Sequence, residues 1–273
     1  MSPRSVTPMS SFLKRVVWTS DRLSISEVMR MSSELVYDSG IRNSEGLGKA
    51  PFITVCLSTY RFEGTVVRAI ESLLAQTYKD FEIVISDDAS PDSTVAAALD
   101  YLKVYAGSIR IRLYRSRYNQ GIVGNRLTAM SYAEGELFVQ TDGDDFSMPQ
   151  RLEKIAEFWR NLPDKPSILA TNALRWYESS GKAGEPVLAD VNVGLFPPGD
   201  PVYGKTVVFS AGYVVSRTLY EAFREVVPQS RLIADDPVFA RRAALLDGLI
   251  FMPEPVFYYG TSTASASGGG EWS

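Results

Sequence analysis

Apolar runs alternate with amphipathic stretches along the middle of the chain, and this alternation predicts its secondary structure. Three runs rich in apolar side chains, Phe52–Leu57, Phe81–Ser86 and Ile109–Tyr114, have the length of buried strands. Between them, Thr65–Ala75 and Val95–Tyr105 place apolar side chains at the three- and four-residue spacing of a helix. Strands that alternate with helices form parallel sheets covered by helices on both faces. We therefore predict an α/β domain built on a mostly parallel sheet.

The pattern continues beyond these elements. A helix is predicted to end near Glu134, and Ile168–Tyr177 is predicted to be a further strand. Phe209–Val215 and Thr218–Glu225 then have the pattern of a strand followed by a helix. Between these parts, Gly181–Pro201 is rich in loop-forming residues and is long enough for an acceptor-facing loop, although a plain surface insertion fits it as well.

The first fifty residues differ in character from the rest. Ser24–Tyr37 has apolar positions near helical spacing, with Ser24 or Ser26 as the N-cap, and Asp38–Ala50 has the composition of a linker. Phe12–Trp18 is amphipathic and could lie on a membrane surface, although packing on the domain or on another protein is favoured. We expect a helical extension and linker over 1–50, the main domain over 51–259 and a flexible tail over 260–273.

An acidic turn follows one predicted strand. Leu137–Val139 form a short buried strand that runs towards Asp142, Asp144 and Asp145, with Gly143 among them. Three carboxylates within four residues repel one another unless a positive charge lies between them. Hard oxygen ligands suit Mg²⁺ or Mn²⁺, which commonly share their coordination shell with phosphates. Taken alone, the turn fits a solvated acidic loop as well as a metal site.

Further polar residues follow other predicted strands. Tyr60 follows the first strand, and Asp87 and Asp88 follow the second, so parallel strands would bring them to one edge of the sheet. Tyr60 fits a base-stacking ring or a structural tyrosine, and Asp88 fits a ligand of a base or ribose or a helix cap. Arg126 fits a pyrophosphate ligand or an exposed helix residue. Their expected convergence with the acidic turn favours a ligand site.

The composition sets limits on the class of protein. The 273 residues are 45% hydrophobic and 22% charged, which is ordinary for a soluble globular protein of one large or two small domains. The net charge of −4 gives no basic field for nucleic acid, so we expect no nucleic-acid partner. The absence of histidine excludes Ser-His and Cys-His mechanisms and histidine-bound metals.

Cysteine content and hydropathy predict the compartment. Cys56, the single cysteine, cannot form a disulfide within the chain and favours a reducing compartment. Its apolar surroundings predict a small buried side chain rather than a nucleophile. No apolar run reaches the roughly 18 residues that span a bilayer, and the N-terminus lacks the apolar core of a secretory signal. We therefore expect a cytoplasmic protein.

Seven short motifs occur in order over about residues 52–155. They are Ile53–Tyr60, Ala69–Tyr78, Phe81–Asp92, Asn119–Arg126, Glu134–Glu136, Thr141–Asp145 and Met148–Leu152. In this order and spacing they resemble the family 2 glycosyltransferases, which transfer sugars from nucleotide-sugar donors with inversion. The resemblance implies the GT-A fold, a mostly parallel Rossmann-like sheet flanked by helices, here with an N-terminal helical extension.

The resemblance also implies roles for the polar residues at the predicted edge. The implied nucleotide-binding residues are Ser58, Thr59, Tyr60, Glu63, Asp88, Asn119, Arg126 and Asp142. Asp88 would bind the base, and Asp142 would lie near the ribose and the metal. Asp144 would directly bind a divalent ion, Mn²⁺ or Mg²⁺, that bridges the diphosphate.

The resemblance is weaker in the second half. Ile233–Arg242 resembles the family's acidic pair at the start of a helix, so Asp236 would be the catalytic base and Asp235 its neighbour. Alternatively, both carboxylates are present only because the dipole at a helix N-terminus favours negative charge. Family members often carry a histidine after the last strand, where this chain has Tyr258–Ser262. The Gln-x-x-Arg-Trp element of processive synthases is also absent, which favours transfer of a single sugar.

Together these features predict a metal-dependent inverting glycosyltransferase of the hexosyltransferase type in polysaccharide or glycoconjugate synthesis. A UDP-sugar donor and a glycan or lipid-linked acceptor are favoured by the resemblance. Peripheral contact with the inner face of the membrane through Phe12–Trp18, and an oligomer, are left open. Two rival hypotheses are a non-catalytic nucleotide- or sugar-binding module of the same fold and a sugar-1-phosphate nucleotidyltransferase. The second would need a Gly-rich basic loop that Ser58–Gly64 does not supply.

Overall fold

A computed structural model describes residues 24–41, 52–189, 194–196, 210–224 and 249–260, and it has an α/β fold around one 11-stranded sheet. The strands are β1 Ser33–Asp38, β2 Ile53–Thr59, β3 Phe81–Asp87, β4 Arg110–Ser116, β5 Leu137–Asp142, β6 Phe146–Ser147, β7 Ile168–Tyr177, β8 Lys182–Pro186, β9 Gly194–Phe196, β10 Tyr213–Ser216 and β11 Leu249–Gly260. The helices are α1 Ile25–Met31, α2 Val66–Leu74, α3 Thr94–Leu102, α4 Gly121–Tyr132, α5 Arg151–Asn161 and α6 Arg217–Arg224, with a 3₁₀ turn at Ser210–Gly212.

The strand order places four parallel strands together. The sheet runs β1-β4-β3-β2-β5-β10-β7-β11-β6, with β8 beside β7 and β9 beside β11. Strands β4, β3, β2 and β5 are parallel neighbours, and β7 and β11 form another parallel pair. Antiparallel strands β1, β10 and β6 join or border these parallel groups. The predicted mostly parallel sheet flanked by helices is therefore confirmed.

The helices pack on the sheet through faces that carry apolar side chains. All seven residues of β2 and all seven of β3 are buried, as expected for strands covered on both faces. The buried side of α2 carries Val66, Ala69, Ile70 and Leu73 at helical spacing. Cys56 is buried within β2, where burial raises the pKa of its thiol, so its interpretation as a buried small side chain is confirmed.

The helix predicted over Ser24–Tyr37 is wrong in its second half. Ser24 caps α1 as expected, but the helix ends at Met31, where the hydroxyls of Ser32 and Ser33 both donate to the carbonyl of Met29. The following residues form β1, which pairs antiparallel with β4 at the border of the sheet. Pairing with an open strand edge overrides the local apolar spacing here. Phe12–Trp18 lies outside the described residues.

The second half departs from the predicted pattern at the long loop. The described part of Gly181–Pro201 contains strands β8 and β9, so the expectation of a loop is wrong for these residues. The strand Ile168–Tyr177 and the helix near Thr218 occur as predicted, while the predicted strand over Phe209–Val215 begins with a 3₁₀ turn before β10. Within the described ranges, no helix has the length and apolar content needed to cross a membrane.

Candidate active site

The carboxyl ends of β2, β3 and β5 meet at one edge of the sheet, and the candidate residues lie there. Register pairs Thr59 with Asp87 and Ser58 with Asp142 across the neighbouring strands. The Ser58 hydroxyl is buried, and it has no hydrogen-bond partner within the ranges that the structure describes. A buried polar group in this state is available to a ligand. The predicted shared edge is therefore present in the structure.

Asp88 directly follows β3 and accepts hydrogen bonds with both carboxylate oxygens. The backbone N–H groups of Gln120 and Gly121 donate to it at 2.7 Å and 2.9 Å, at the start of α4. Burial nevertheless raises the pKa of Asp88 to about 7. Asn119 lies next to this contact, with its side-chain oxygen 3.2 Å from the backbone nitrogen of Gly121. Asp88 thus caps α4 rather than the helix that directly follows it.

Asp87 has a structural place beside Asp88. Its carboxylate accepts from the backbone N–H and the hydroxyl of Ser90 at 2.9 Å and 2.5 Å, and from the hydroxyl of Thr59 at 3.2 Å. These bonds fix the loop after β3 against the end of β2. Asp87 therefore holds the loop that carries Asp88.

The loop after β2 carries Tyr60 and Glu63. The Tyr60 side chain is 37% exposed, so its ring is open to contact from outside the protein. Glu63 accepts a hydrogen bond of 2.9 Å from the backbone N–H of Ser93, which ties this loop to the start of α3. The structure therefore gives Glu63 a loop-holding contact, and it leaves Tyr60 as the exposed aromatic ring at this edge.

Arg126 contacts a carboxylate rather than open space. One of its terminal nitrogens lies 2.8 Å and 3.1 Å from the two carboxylate oxygens of Asp142. The Arg126 side chain is 4% exposed and that of Asp142 is 27% exposed, so the pair is largely shielded from water. Because both carboxylate oxygens of Asp142 are hydrogen-bonded by the same guanidinium nitrogen, Arg126 positions Asp142 at the end of β5.

The acidic loop is packed tightly enough to require glycine at its centre. The backbone N–H of Gly143 donates to the carbonyl of Ser58 at 2.9 Å, which holds the loop against the end of β2. A Cβ at this position would lie 2.6 Å from a ring carbon of Phe62 and 3.1 Å from the methyl group of Thr59. Close approach therefore makes glycine necessary in this loop.

Asp144 and Asp145 are both buried behind this glycine. Burial, together with the charge of Asp142, raises the pKa of Asp144 to about 7. Burial, together with the charges of Asp144 and Asp142, also raises the pKa of Asp145 well above its ordinary value, and its carboxylate accepts a hydrogen bond of 2.9 Å from the backbone N–H of Gly260 at the end of β11. The end of the last strand therefore closes over the acidic loop.

These carboxylates fit a divalent ion that also binds phosphate. Across the described ranges, no three Asp, Glu, Cys or His side chains are arranged to hold a metal without other ligands. However, Asp142 and Asp144 bring hard oxygen atoms to one loop, and burial of adjacent carboxylates is unfavourable unless a cation compensates. Oxygen atoms from a diphosphate would complete the coordination shell of Mg²⁺ or Mn²⁺.

A buried arginine beneath the loop is a residue to which the sequence assigned no role. Arg151 is fully buried at the start of α5 and donates to the carbonyls of Gln140 and Ala211 at 2.8 Å and 2.9 Å. It also donates to the hydroxyls of Thr141 and Ser147 at 2.9 Å and 3.1 Å. A cation in the first turn of a helix is unfavourable next to the positive end of the helix dipole. An arginine at this position was therefore the feature of the sequence that could have indicated a special role.

An ion pair that the sequence did not reveal lies on the outer side of the acidic loop. Arg68 of α2 donates to the backbone carbonyl of Asp144 at 3.3 Å and forms an ion pair with Glu178, which follows β7. The charge of Glu178 is close enough to contribute to the raised pKa of Asp144. No local pattern could indicate this pair, because 110 positions separate its members. Asp235 and Asp236 lie outside the described residues.

Comparison with known proteins gives independent information about the fold and about part of the chain. The family model of glycosyl transferase family 2 matches residues 54–173, which include β2 to most of β7 and the acidic loop. Residues 54–173 are therefore similar to this family, as the motifs predicted, and the predicted GT-A fold is confirmed by the similarity of the chain to solved structures.

Two relatives illustrate the similarity in sequence. EpsE of Bacillus subtilis (strain 168), named as a glycosyltransferase, is 31% identical over 166 residues, which cover 60% of this chain and 58% of EpsE. WfgD of Escherichia coli, named a UDP-Glc:alpha-D-GlcNAc-diphosphoundecaprenol beta-1,3-glucosyltransferase, is 33% identical over 101 residues. That match covers 37% of this chain and 38% of WfgD, so the chain matches well under two thirds of either relative.

Two solved structures share the fold at low sequence identity. Residues 1–349 of S. aureus TarS, in complex with UDP, align with a TM-score of 0.62 and 19% identity, covering 77% of this chain and 61% of that one. The mannosyltransferase PcManGT from Pyrobaculum calidifontis, in complex with GDP-Man and Mn²⁺, aligns with a TM-score of 0.57 and 18% identity. It covers 80% of this chain, and 59% of its own length is matched.

Proposed function

We propose that this chain transfers a single sugar from a nucleoside diphosphate sugar to an acceptor hydroxyl, with inversion at the anomeric carbon. The observation that carries the proposal is the meeting of Asp88 and the Asp142–Asp144 loop at one edge of the sheet. Ligands of open α/β sheets bind outside the carboxyl ends of the strands, where these residues lie. The match of residues 54–173 to the family model of glycosyl transferase family 2 supports the same chemistry.

The donor nucleotide is assigned to the β2 and β3 side of this edge. The open ring of Tyr60 can stack on a base, and Asp88 can accept from base or ribose groups while it holds the start of α4. Ser58 and Thr59 lie between this position and the acidic loop, with the unpartnered Ser58 hydroxyl as a donor for the nucleotide. UDP in the TarS structure supports a uridine donor.

A divalent cation, Mn²⁺ or Mg²⁺, is assigned to Asp144 and Asp142. The bound ion would supply positive charge against the negative charge that develops on the leaving diphosphate. Within the chain, the ion pair with Arg126 holds the Asp142 carboxylate in place, and Gly143 lets the loop approach β2 closely. The Mn²⁺ in the complex of PcManGT supports this assignment.

The transfer itself requires a base on the acceptor side. Asp236, the residue that matches the family's acidic pair, would take the proton from the acceptor hydroxyl while that oxygen attacks the anomeric carbon. The bond between the anomeric carbon and the diphosphate oxygen breaks as the new glycosidic bond forms on the opposite face. The products are the glycosylated acceptor, protonated Asp236 and the free nucleoside diphosphate.

The relatives suggest the setting of the reaction. The name of WfgD describes a sugar acceptor joined to a diphosphoundecaprenol lipid, so a lipid-linked or glycan acceptor and a role in polysaccharide synthesis are proposed for this chain. Transfer to such an acceptor places the protein in the cytoplasm, at the inner face of the membrane. Phe12–Trp18 is the segment proposed for peripheral contact with that surface.

Calorimetry with UDP and with GDP, each with and without Mn²⁺, tests the donor site. We expect one nucleotide to bind more tightly when Mn²⁺ is present, and Asp144→Ala to remove this gain. Asp100→Ala, which removes a carboxylate exposed on α3, is the matched control and should behave as wild type. Equal nucleotide binding with and without Mn²⁺ would contradict the metal assignment, and no nucleotide binding would contradict the proposed function.

Turnover is tested by the release of free nucleotide from a panel of nucleotide sugars. We expect release by the wild-type protein and its loss in Asp236→Asn, with nucleotide binding retained because the role proposed for this residue is to accept a proton from the acceptor. Full turnover by Asp236→Asn would remove the residue from the role of base. Nucleotide binding without release from any donor or acceptor would instead indicate a non-catalytic binding module.

A further inference from the structure

A row of polar side chains on α2 binds the backbone of the acidic loop and of the residues that follow it. Arg68, Ser72 and Gln76 are spaced four residues apart, so they follow one side of α2 and continue past its end. The hydroxyl of Ser72 accepts a hydrogen bond of 2.9 Å from the backbone N–H of Ser147. The side-chain amide of Gln76 donates to the carbonyl of Met148 at 2.8 Å. This side of α2 therefore holds the chain just after the acidic loop.

Arg68 extends the row to the acidic loop itself. One of its terminal nitrogens donates to the backbone carbonyl of Asp144 at 3.3 Å. The same carbonyl oxygen is the atom that a Cβ on Gly260 would approach to 2.6 Å. The backbone of Asp144 is therefore in contact with α2 as well as with the end of β11.

Glu178 fixes the direction of the Arg68 side chain. The two terminal nitrogens of Arg68 bind the two carboxylate oxygens of Glu178, one of them at 3.0 Å, in a forked ion pair. The nitrogen that donates to Asp144 is one of these two. The guanidinium also lies 4.5 Å from the centre of the Phe146 ring. A planar guanidinium bound at two points has a defined orientation, so the donor of the bond to Asp144 is held in place.

Arg68 and Glu178 act in opposite directions on the Asp144 carboxylate. Burial and the charge of Asp142 are the main causes of the raised pKa of Asp144, and beside them Arg68 lowers this pKa while Glu178 raises it. A lone guanidinium beside the acidic loop would repel a divalent cation, and the charge of Glu178 compensates this repulsion. The pair therefore supplies a hydrogen-bond donor to the loop with little net charge.

We propose that Arg68, held by Glu178, is a positioning residue for the cation site. Its hydrogen bond to the carbonyl of Asp144 keeps the carboxylate of that residue where it can bind a divalent ion. Residues that orient the ligands of a metal typically contribute about 10- to 100-fold to its affinity. The inference rests on the proposed function, in which Asp144 and Asp142 bind the ion, and it adds an arginine of α2 and its partner to that site.

Arg68→Met separates positioning from charge, because the two effects have opposite signs. By charge alone, the substitution should strengthen cation binding, since it removes a positive charge and leaves Glu178 negative. If the hydrogen bond positions Asp144, the same substitution weakens cation binding. We expect the gain in nucleotide affinity that Mn²⁺ causes to fall about tenfold. Calorimetry with and without Mn²⁺ measures this gain, with UDP or GDP as the nucleotide, whichever the wild type binds more tightly.

Electron paramagnetic resonance of Mn²⁺ bound together with the nucleotide gives a second readout that does not depend on turnover. We expect the spectrum of the bound ion to change in Arg68→Met, because one of its oxygen ligands is displaced. Glu178→Gln should also lower the gain from Mn²⁺, since it loosens Arg68 and leaves the charge of that residue uncompensated. Arg68→Lys keeps the charge and a donor but loses the fork, so it should restore part of the gain that Arg68→Met loses.

Lys154→Met is the matched control for the loss of a paired cation. Lys154 of α5 forms an ion pair with Glu254 of β11, and its side chain is about as exposed as that of Arg68. Neither member of this pair belongs to the acidic loop. We therefore expect Lys154→Met to keep both the gain from Mn²⁺ and the spectrum of the wild type.

The outcomes distinguish this inference from the proposed function. A gain from Mn²⁺ in Arg68→Met that equals or exceeds that of the wild type overturns the inference, and so does an unchanged spectrum of the bound ion. Nucleotide affinity without Mn²⁺ should match the wild type, which shows that the variant is folded; if Arg68→Met fails this check, a full gain in Arg68→Lys overturns the inference instead. A wild-type protein that binds nucleotide with no gain from Mn²⁺ contradicts the metal site itself, before any variant is compared.

Discussion

Gly260→Ala is predicted to disturb the acidic loop, to which we assign the metal, from a position 115 residues away from Asp145. Gly260 ends β11, and its backbone N–H donates to the buried carboxylate of Asp145 at 2.9 Å. An added Cβ would lie 2.6 Å from the carbonyl oxygen of Asp144 and 3.2 Å from its carbonyl carbon. Both atoms belong to the backbone, so no side chain can rotate to relieve the contact.

The geometry gives the size of the expected displacement. Cβ atoms essentially never approach another heavy atom within 3.0 Å, so the loop and the strand must separate by at least about 0.4 Å. Misplacement of a binding group by about 1 Å can cost on the order of 100-fold. We therefore expect the Mn²⁺-dependent part of UDP affinity to fall on the order of five- to tenfold.

Isothermal titration of UDP, with and without Mn²⁺, measures this effect. UDP affinity without Mn²⁺ should change little, because Asp88 and Tyr60 lie at the other end of the site. Gly64→Ala is the control for an added methyl group, since its Cβ would meet no atom within 4 Å. If Gly260→Ala keeps the full gain from Mn²⁺, the strand end does not constrain the loop and the reasoning is wrong.

Three other substitutions test separate parts of the site. Burial raises the pKa of Asp88 to about 7, so its favourable contribution to stability is complete below about pH 4 and is lost as the pH rises towards 7. Asp88→Asn cannot ionise, so its melting temperature relative to that of the wild type should be higher at pH 8 than at pH 5 in thermal unfolding experiments. Arg126→Ala leaves Asp142 without this ion pair and should lower the free energy of unfolding by about 2 kcal/mol in urea titrations; no change would contradict the pairing. Arg151→Met leaves four buried acceptors without their donor and should cost about 3–5 kcal/mol in the same assay, whereas a loss below about 1 kcal/mol would contradict its structural role.

The parallel part of the fold could be predicted because its signals are local. The strands around Ile53 and Phe81 are buried on both faces, so they appear in the sequence as short continuous apolar runs. Once those strands are parallel neighbours, topology alone brings the polar residues that follow them to a shared edge. The positions of Asp88 and Asp142 therefore followed from the order of strands and helices, although their hydrogen-bond partners did not.

The contacts around the acidic loop could not be predicted, because they join distant segments. Arg68 and Glu178 meet only after β7 is placed beside β11, and Gly260 reaches Asp145 across 115 positions. The helix pattern at Ser24–Tyr37 failed for a related reason, since hydrogen bonds to the open edge of β4 determined the conformation of its second half. Local periodicity contains no information about such pairings.

The same strand pairing connects the N-terminal segment to Asp88, to which we assign the donor nucleotide. The carbonyl of Ser32 accepts from the backbone N–H of Arg117 at 2.9 Å, and the Ser32 hydroxyl lies 3.2 Å from the side-chain oxygen of Gln120. The backbone N–H of Gln120 in turn donates to Asp88. Because β1 and the residue before it hold the segment that binds this carboxylate, the N-terminal segment supports the part of the site that we assign to the nucleotide. Strand β1 extends the sheet beyond the parallel strand β4, and the position of Asp88 depends on this added strand.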